Sequence, residues 1–325
     1  MRARCALSVP VLSVRAPALP RALTLALILF PLLASLILAS GAHAAEPLRF
    51  SVIMHAMRDS GDENDLRTAL ENAQSADPTF IVVNGMRSPR EPCTDRLYRQ
   101  RAALLEASSA PVILSMAGSD WLDCRDRQGR PASVVWLNLL REQVHGEISW
   151  RGAKHLSLRR QSAIRAFRSY SENTRWVADN VLFATLNLPA ENNHYIASAG
   201  GNSEFEDRLT ASRDWLKRLG LQATMERRPL IVLFCDGNPL PAPSRKSDQR
   251  DGFAEIRQQL KALAALAEKS QTKVLLVQGP QPRNPGTPGE IVWEGNLGYV
   301  SLRAGVSGFA VDLTAPMPVT LSEEP

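Results

Sequence analysis

The sequence is poor in the residues that build the commonest metal and nucleophile motifs. It has 5 histidines and 4 cysteines in 325 residues, and no Cys-x-x-Cys pair or Cys/His cluster has the spacing of a zinc site. The segment AGSDW around Ser119 lacks the Gly-x-Ser-x-Gly elbow of a serine hydrolase. Residues 198–205 contain glycine but lack the strand-to-helix context of a phosphate loop. None of these three sites is indicated.

The chain also lacks a strong excess of positive charge outside its first segment. The formal net charge is +5 at pH 7, and residues 1–44 contribute four arginines and no acid, so the remainder carries +1. A nucleic-acid binder needs a strongly basic folded surface, and we therefore expect no nucleic-acid partner. We interpret the basic cluster Arg159, Arg160 and Arg165 as a solvated helix face.

The first 44 residues have the pattern of a secretion signal. Four arginines precede the apolar run LTLALILFPLLASLILA, and the small-x-small sequence Ala42-His43-Ala44 follows it. We predict a signal peptide over residues 1–44, cleavage near Ala44 and a periplasmic or secreted mature chain. An uncleaved membrane anchor is the alternative, since the run is just long enough to span a bilayer. The basic residues are Arg2, Arg4, Arg15 and Arg21.

The rest of the chain alternates between apolar, β-branched runs and amphipathic helical patterns. Helical periodicity covers residues 62–73 and 251–269, and residues 291–313 are typical of closing antiparallel strands with a turn at Gly295-Asn296. Alternating strands and helices predict an α/β fold. No linker or repeat divides the chain, so we predict one domain over residues 45–315 and a C-terminal tail over 316–325. The predicted buried strands are 50–54, 80–83, 112–114, 181–186, 231–234 and 274–277.

Several segments, in chain order, resemble a secreted bacterial branch of the calcineurin-like metallophosphoesterases. PVILSMAGSDWLDC (111–124) is similar to a strand and turn that in this family supply a bridging Asn and an acid, followed by Trp, Asp and Cys. The resemblance covers most of the mature chain and implies an α/β sandwich of mixed β-sheets flanked by helices. The other similar segments are RFSVIMHAM (49–57), TFIVVNGMRSPREPC (79–93), NVLFATLNLPAENNHY (180–195), SRDWLKRLG (212–220), PLIVLFCDGNP (229–239) and KVLLVQGPQP (273–282).

The metal ligands of the family are replaced in this chain at four separate segments. Such an enzyme holds the attacking and leaving oxygens between two cations roughly 3.5 to 4 Å apart. Thioethers suit softer ions, and proline offers no side-chain donor. The resemblance therefore implies that the dinuclear centre is lost, and we expect no metal and no other cofactor. The replaced positions are Met54, Met86, Ser119, Pro280 and Pro282.

Polar residues still follow the predicted strands and would face one cleft in the resembling fold. They either cap strand ends and turns, where Asn, Asp and Ser are favoured, or form a rebuilt ligand pocket. In such a pocket His55 and Asp120 could act as acid and base, or His55 could bind a single metal weakly. We assign no catalytic residue. The pocket candidates are His55, Asp59, Asn84, Ser119, Asp120, Asp236 and Asn238.

The resemblance also places cysteines at Cys93 and Cys124, and we predict a disulfide between them. An exported location permits it, and closing a loop of roughly 30 residues would stabilise the fold by about 3 to 4 kcal/mol. Cys235 is predicted to be a buried small apolar residue.

Two functions remain open from the sequence. The first is an exported, catalytically degenerate protein that binds an unknown envelope ligand or protein, or assists one. The alternative is a phosphate-ester hydrolase with a reduced or rebuilt metal site around His55, Asp120 and Asp236, which alone would require a divalent metal. A purely structural envelope protein is a third possibility, and a membrane partner is expected only if the leader is uncleaved.

Overall fold

The computed structural model describes most of the chain that follows the predicted leader. The described ranges are 47–58, 61–147, 155–197, 200–240, 250–269, 271–280 and 289–322. The predicted signal peptide, Asp59 and Pro282 lie outside them. None of the helices in these ranges combines the length and the hydrophobicity that a membrane span requires.

Twelve strands and five longer helices make up the described fold. The strands are β1 (Leu48–Met54), β2 (Phe80–Asn84), β3 (Val112–Ser115), β4 (Arg159–Arg160), β5 (Thr174–Ala178), β6 (Val181–Thr185), β7 (Leu230–Phe234), β8 (Lys273–Gln278), β9 (Val292–Glu294), β10 (Leu297–Ser301), β11 (Gly305–Val311) and β12 (Val319–Ser322). The helices are α1 (Glu63–Ser75), α2 (Asp95–Glu106), α3 (Ser133–Leu139), α4 (Ser203–Glu226) and α5 (Ala254–Glu268). Wider π-type turns over Leu140–Glu147 continue α3, and Ala190–Asn193 forms one short turn.

The strands form two mixed sheets, which confirms the predicted α/β class with mixed sheets flanked by helices. The first sheet has the order β12-β11-β1-β2-β3, with β1, β2 and β3 parallel. The second has the order β4-β5-β6-β7-β8-β10-β9, with β6, β7, β8 and β10 parallel. Parallel strands need both faces covered, and every residue of β2, β6 and β7 is buried accordingly.

Aromatic side chains fill the core between the sheets. Phe50 and Phe80 of the first sheet lie 5.4 Å and 4.9 Å from Phe183 of the second, in edge-to-face geometry. Such contacts add to the stabilisation from apolar burial. A second apolar cluster includes Trp215 of α4 and Ile256 of α5, together with residues of β6, β7 and β8. The second sheet is therefore covered on both faces.

Two sequence predictions need correction in this description. β12 pairs with β11, so part of the predicted tail 316–325 lies in the first sheet. Arg159 and Arg160 form strand β4 and do not belong to a helix face, because the short segment pairs with β5 and its ladder continues with a hydrogen bond from Gln161 N to Asn173 O (2.8 Å). Arg165 begins a 3₁₀ turn.

Cys93 and Cys124 are joined in the predicted disulfide, with a Cα–Cα distance of 5.5 Å. Both cysteines lie beyond the carboxyl ends of neighbouring strands, β2 and β3. Cys235 is fully buried at the end of β7 and forms no disulfide. The bridge therefore braces the loops at the same sheet edge as the predicted cleft.

Candidate functional site

A hydrogen bond between His55 and Asp236 joins the two sheets at the carboxyl ends of their strands. His55 follows β1 in the first sheet and Asp236 follows β7 in the second, and His55 Nε2 lies 2.6 Å from Asp236 Oδ1. The His55 side chain is 12 % exposed and that of Asp236 is 1 % exposed. His55 has a φ of 47°, which is unusual outside glycine. This backbone position directs its imidazole to the opposite sheet.

Asp236 accepts two further hydrogen bonds, both from backbone amides of other segments. Its Oδ2 atom accepts from Gly118 N at 2.6 Å and from Ala190 N at 3.0 Å. Burial alone would raise the pKa of Asp236, but the hydrogen bonds from His55 and the two amides hold it below its usual range. The carboxylate is thus ionised and holds three other segments in place.

Asp120 is held in a similar way, by amides around the ends of β2 and β3. Its Oδ1 accepts from Met86 N at 2.8 Å and Arg87 N at 3.2 Å, and its Oδ2 accepts from Ala117 N at 3.0 Å. Burial raises the pKa of Asp120 to about 6, although two of these amides oppose the shift, and the nearby Asp236 adds to it. Asp120 therefore closes the turn between these strand ends.

His55 and Asp120, which the sequence suggested as a possible acid and base, have different hydrogen-bond partners. The partner of His55 is Asp236, because β1 and β7 end opposite each other, whereas both Asp120 oxygens accept backbone amides. Asp236 was among the sequence candidates, but its contact with His55 spans 181 residues of chain. No local pattern predicts such a contact.

Ser119 and Asn84 lie beside this pair and retain unused hydrogen-bonding atoms. Asn84 donates from Nδ2 to Ser115 Oγ at 3.1 Å, and its buried Oδ1 has no partner. Ser119 Oγ is also buried without a partner. A Cβ placed on Gly85 would lie 3.4 Å from His55 Nδ1 and 3.6 Å from Ser119 Oγ, so these two atoms are at most 7.0 Å apart, the sum of the two distances.

The remaining candidates lie at the edge of this region or outside the description. Asn238 donates from Nδ2 to the carbonyl of Pro280 at 3.2 Å, next to the end of β8. Among the positions that the sequence resemblance suggests have lost a metal ligand, Met54 and Met86 are buried and Pro280 is partly exposed. Asp59 and Pro282 lie outside the described residues, so their relation to the cleft remains a prediction.

Two glycines allow the strand-end loops to approach each other this closely. A Cβ on Gly118 would lie 3.1 Å from Asp236 Oδ2, and one on Gly279 would lie 2.0 Å from the Asp236 carbonyl oxygen. The second distance is far below any real contact, so only glycine fits at position 279. Its amide donates to that carbonyl at 3.1 Å.

Sequence reasoning missed a left-handed turn that supplies one of the amides to Asp236. Four consecutive residues, Glu191 to His194, have φ between 55° and 60°. Runs of left-handed residues are costly, although Asn tolerates this region better than most. The fully buried Arg208 donates from Nη2 to the Asn193 carbonyl at 2.9 Å and also donates to the Asn193 side chain. The two asparagines were the only sequence signal for this turn.

The strand-end residues do not fit the two-metal centre of the resembling family. Across the described ranges, no group of three or more His, Cys, Asp and Glu side chains is placed to hold a metal ion. His55 Nε2 and both carboxylates are engaged in hydrogen bonds within the protein. The remaining chemical capacity is the His55–Asp236 pair, in which the carboxylate orients an imidazole that can transfer a proton at Nδ1.

Comparisons with known proteins give a similarity to solved structures. No protein-family model matches the chain, and no curated protein matches it. Among solved structures, one described as a novel phosphatase from Mycoplasma pneumoniae aligns with a TM-score of 0.43 and 9 % sequence identity, covering 85 % of this chain and 92 % of that chain.

Proposed function

We propose that this chain is an exported, catalytically degenerate protein with a metallophosphoesterase-like fold, which serves as a binding or accessory protein in the cell envelope. The observation that carries the proposal is the state of Asp236, whose carboxylate accepts from His55, Gly118 and Ala190. A strand-end carboxylate in a phosphoesterase would instead face a cation.

Binding a divalent cation at these strand ends would disrupt a set of internal hydrogen bonds. Asp236 and Asp120 together accept five backbone amides, from Gly118, Ala190, Met86, Arg87 and Ala117. Each buried amide left without an acceptor costs about 1 to 3 kcal/mol. Since the positions that would supply compensating metal ligands hold Met, Ser and Pro, the hydrogen-bonded arrangement is favoured.

An envelope location is proposed from the leader pattern and agrees with the cysteine chemistry. Disulfides persist in oxidising compartments, and the Cys93–Cys124 bridge supports such a location. Expression of the full chain followed by cell fractionation tests this part. We expect the mature chain in the periplasm or medium, shortened by the leader, whereas a full-length cytoplasmic product would contradict export.

Metal content and hydrolysis test the degenerate state of the cleft. The mature protein would be loaded separately with Mn²⁺, Zn²⁺, Fe²⁺ and Mg²⁺, desalted, analysed for metal and assayed with an aryl phosphate. We expect neither stoichiometric metal nor metal-dependent turnover. Stoichiometric metal with turnover that disappears in Asp236→Asn would overturn the proposal, with Asp126→Asn on an exposed turn as the matched control.

A phosphate-ester hydrolase is the second candidate, and one observation favours it. The imidazole of His55 is oriented by Asp236, and its Nδ1 lies in the same small region as the unpartnered Ser119 hydroxyl. Metal-independent turnover of the aryl phosphate that is lost in both Ser119→Ala and His55→Asn would support it. The absence of turnover in the unmodified protein would exclude it for this substrate class.

A further inference from the structure

A cavity of about 470 Å³ lies beside β4, the edge strand of the seven-stranded sheet. It lies near the amino ends of β6 and β7 and the last turn of α4. We call it the arginine cavity, and its polar lining is His155, Ser157, Arg159, Arg175, Gln222, Glu226 and Arg228. None of the strand-end residues His55, Asp120 or Asp236 lines it.

Two of its arginines lie directly opposite each other on adjacent strands. Arg159 of β4 is the register partner of Arg175 of β5, so both side chains project from the same face. Like charges in this position destabilise a strand pair. No carboxylate of the described chain lies within ion-pair distance of either guanidinium. The two like charges therefore face each other, and neither forms an ion pair with a carboxylate among the described residues.

The surroundings of Arg175 keep its guanidinium in place. Its Cζ lies 5.4 Å from the centre of the buried Trp215 ring. Partial burial lowers the pKa of Arg175, and the charges of Arg218 and Arg159 lower it further, while Glu226 opposes them. Arg175 is therefore a partly desolvated cation whose nearest charged neighbours include two other cations.

The third arginine and the one acid of the cavity are already paired. Arg228 donates from Nε to Glu226 Oε2 at 3.0 Å and from Nη1 to Asn180 Oδ1 at 2.8 Å. Gln222 also donates to Glu226. Three guanidinium groups therefore share one carboxylate, and the uncompensated charge lies on Arg159 and Arg175.

We propose that the arginine cavity binds the phosphate group of a small phosphate ester. Guanidinium forks match phosphate oxygens in bidentate geometry, and a dianion placed between Arg159 and Arg175 would neutralise their repulsion. The volume lies within the roughly 300 to 1,000 Å³ of small-molecule sites. This inference rests on the proposed function as a binding protein, and it identifies the ligand class as phosphate esters.

Isothermal titration of the mature protein with phenyl phosphate tests the site. We expect one saturable site per chain, and at least a tenfold loss of affinity in Arg159→Gln and in Arg175→Gln. Arg99→Gln, which removes an exposed arginine of α2, is the matched control and should bind as the unmodified protein does. Absence of saturable binding, or equal affinity in all four proteins, would overturn the proposal and leave the arginines as charges that protect an edge strand from association.

A more conservative substitution and a vesicle assay complete the test. Arg175→Lys keeps the charge but loses the planar fork, so its affinity should fall between those of the unmodified protein and Arg175→Gln. Co-sedimentation with phosphatidic acid vesicles, against neutral phosphatidylcholine, distinguishes a lipid headgroup from a free phosphate ester. Arginine-dependent sedimentation would assign the lipid source. Metal-dependent turnover at the strand ends would refute the proposed degenerate cleft without changing this binding result.

Discussion

The charged side chains at the strand ends and in the arginine cavity differ in burial and in their internal partners. At the strand ends His55, Asp120 and Asp236 are mostly buried, and both carboxylates are satisfied by internal donors. In the arginine cavity, Arg159 and Arg175 are more exposed, face each other and have no acidic partner in the described chain. The comparison teaches that polar residues at the expected position of a site can serve the fold, while unpaired charges elsewhere remain available to a ligand.

The largest loss of stability should follow removal of the Asp236 carboxylate. Asp236→Ala would leave His55 and two amides without their acceptor, and removing one partner of a buried pair typically costs about 3 to 5 kcal/mol. Urea unfolding of the mature protein measures this loss, with Asp126→Ala, at a partly exposed turn position, as control. A cost below about 1 kcal/mol would show that Asp236 does not hold the strand ends together.

Removing the disulfide should lower the free energy of unfolding by nearly as much as Asp236→Ala does. Cys93→Ser combined with Cys124→Ser opens a loop closed across 31 residues, and the chain-entropy model predicts a loss of about 3 to 4 kcal/mol. Cys235→Ser is a matched control in the same residue type, although it places a hydroxyl in a fully buried position. If the double variant were as stable in urea as the unmodified protein, the disulfide would not contribute to the stability of the strand ends.

The pH dependence of stability should show the raised pKa of Asp120. The unfolded carboxyl has a pKa near 3.8 and the folded one a pKa of about 6, so between these values the folded state binds more protons. Stability from this group is therefore full below about pH 4 and falls as pH rises towards 6, by about 2 to 3 kcal/mol.

Unfolding free energies measured from pH 4 to pH 7 test this expectation. The difference between the unmodified protein and Asp120→Asn should shrink or reverse as pH rises through 6, because Asn carries no proton in this range. The same difference for Asp312→Asn, at an exposed turn, should not follow that course. A pH-independent difference for Asp120→Asn would mean that the amides keep Asp120 ionised throughout.

The smallest predicted change in stability is a gain, and it concerns the arginine cavity. Arg175→Gln removes one of two facing like charges, so we expect stability to rise by up to about 1 kcal/mol at low salt. Arg99→Gln should instead lose roughly 0.3 to 0.5 kcal/mol, since it breaks an exposed ion pair with Asp95 one turn away. Thermal unfolding at two salt concentrations measures both, and a marked loss for Arg175→Gln would show that its packing on Trp215 outweighs the repulsion.

Much of the fold was predictable because strands and helices leave local patterns. The run from Phe80 to Asn84 is apolar and β-branched, and it is buried on both faces in the sheet. Acids at the start of α1 and apolar residues at helical spacing predicted a helix there. The two-residue strand β4 failed as a prediction, because a segment so short has no period and depends on β5 for its hydrogen bonds.

The candidate site was predictable only as a set of residue types. Asp236, Ser119 and His55 could be named because each follows a predicted strand, but their partners could not. The left-handed turn that brings Ala190 to Asp236 depends on Arg208, which contacts it from a separate helix. Hydrogen bonds between distant segments are set by where loops meet in space, which local pattern does not encode.

The sequence by itself determined the α/β class, most strand positions and the residues offered at the strand ends, because these depend on periodicity and composition. Only the tertiary structure decided that His55 meets Asp236, that Asp120 is surrounded by amides and that Arg159 faces Arg175. Each of these contacts joins residues on different strands or loops. Electrostatic and hydrogen-bond energies fall steeply with distance, so what a charged residue does depends on neighbours that the fold supplies.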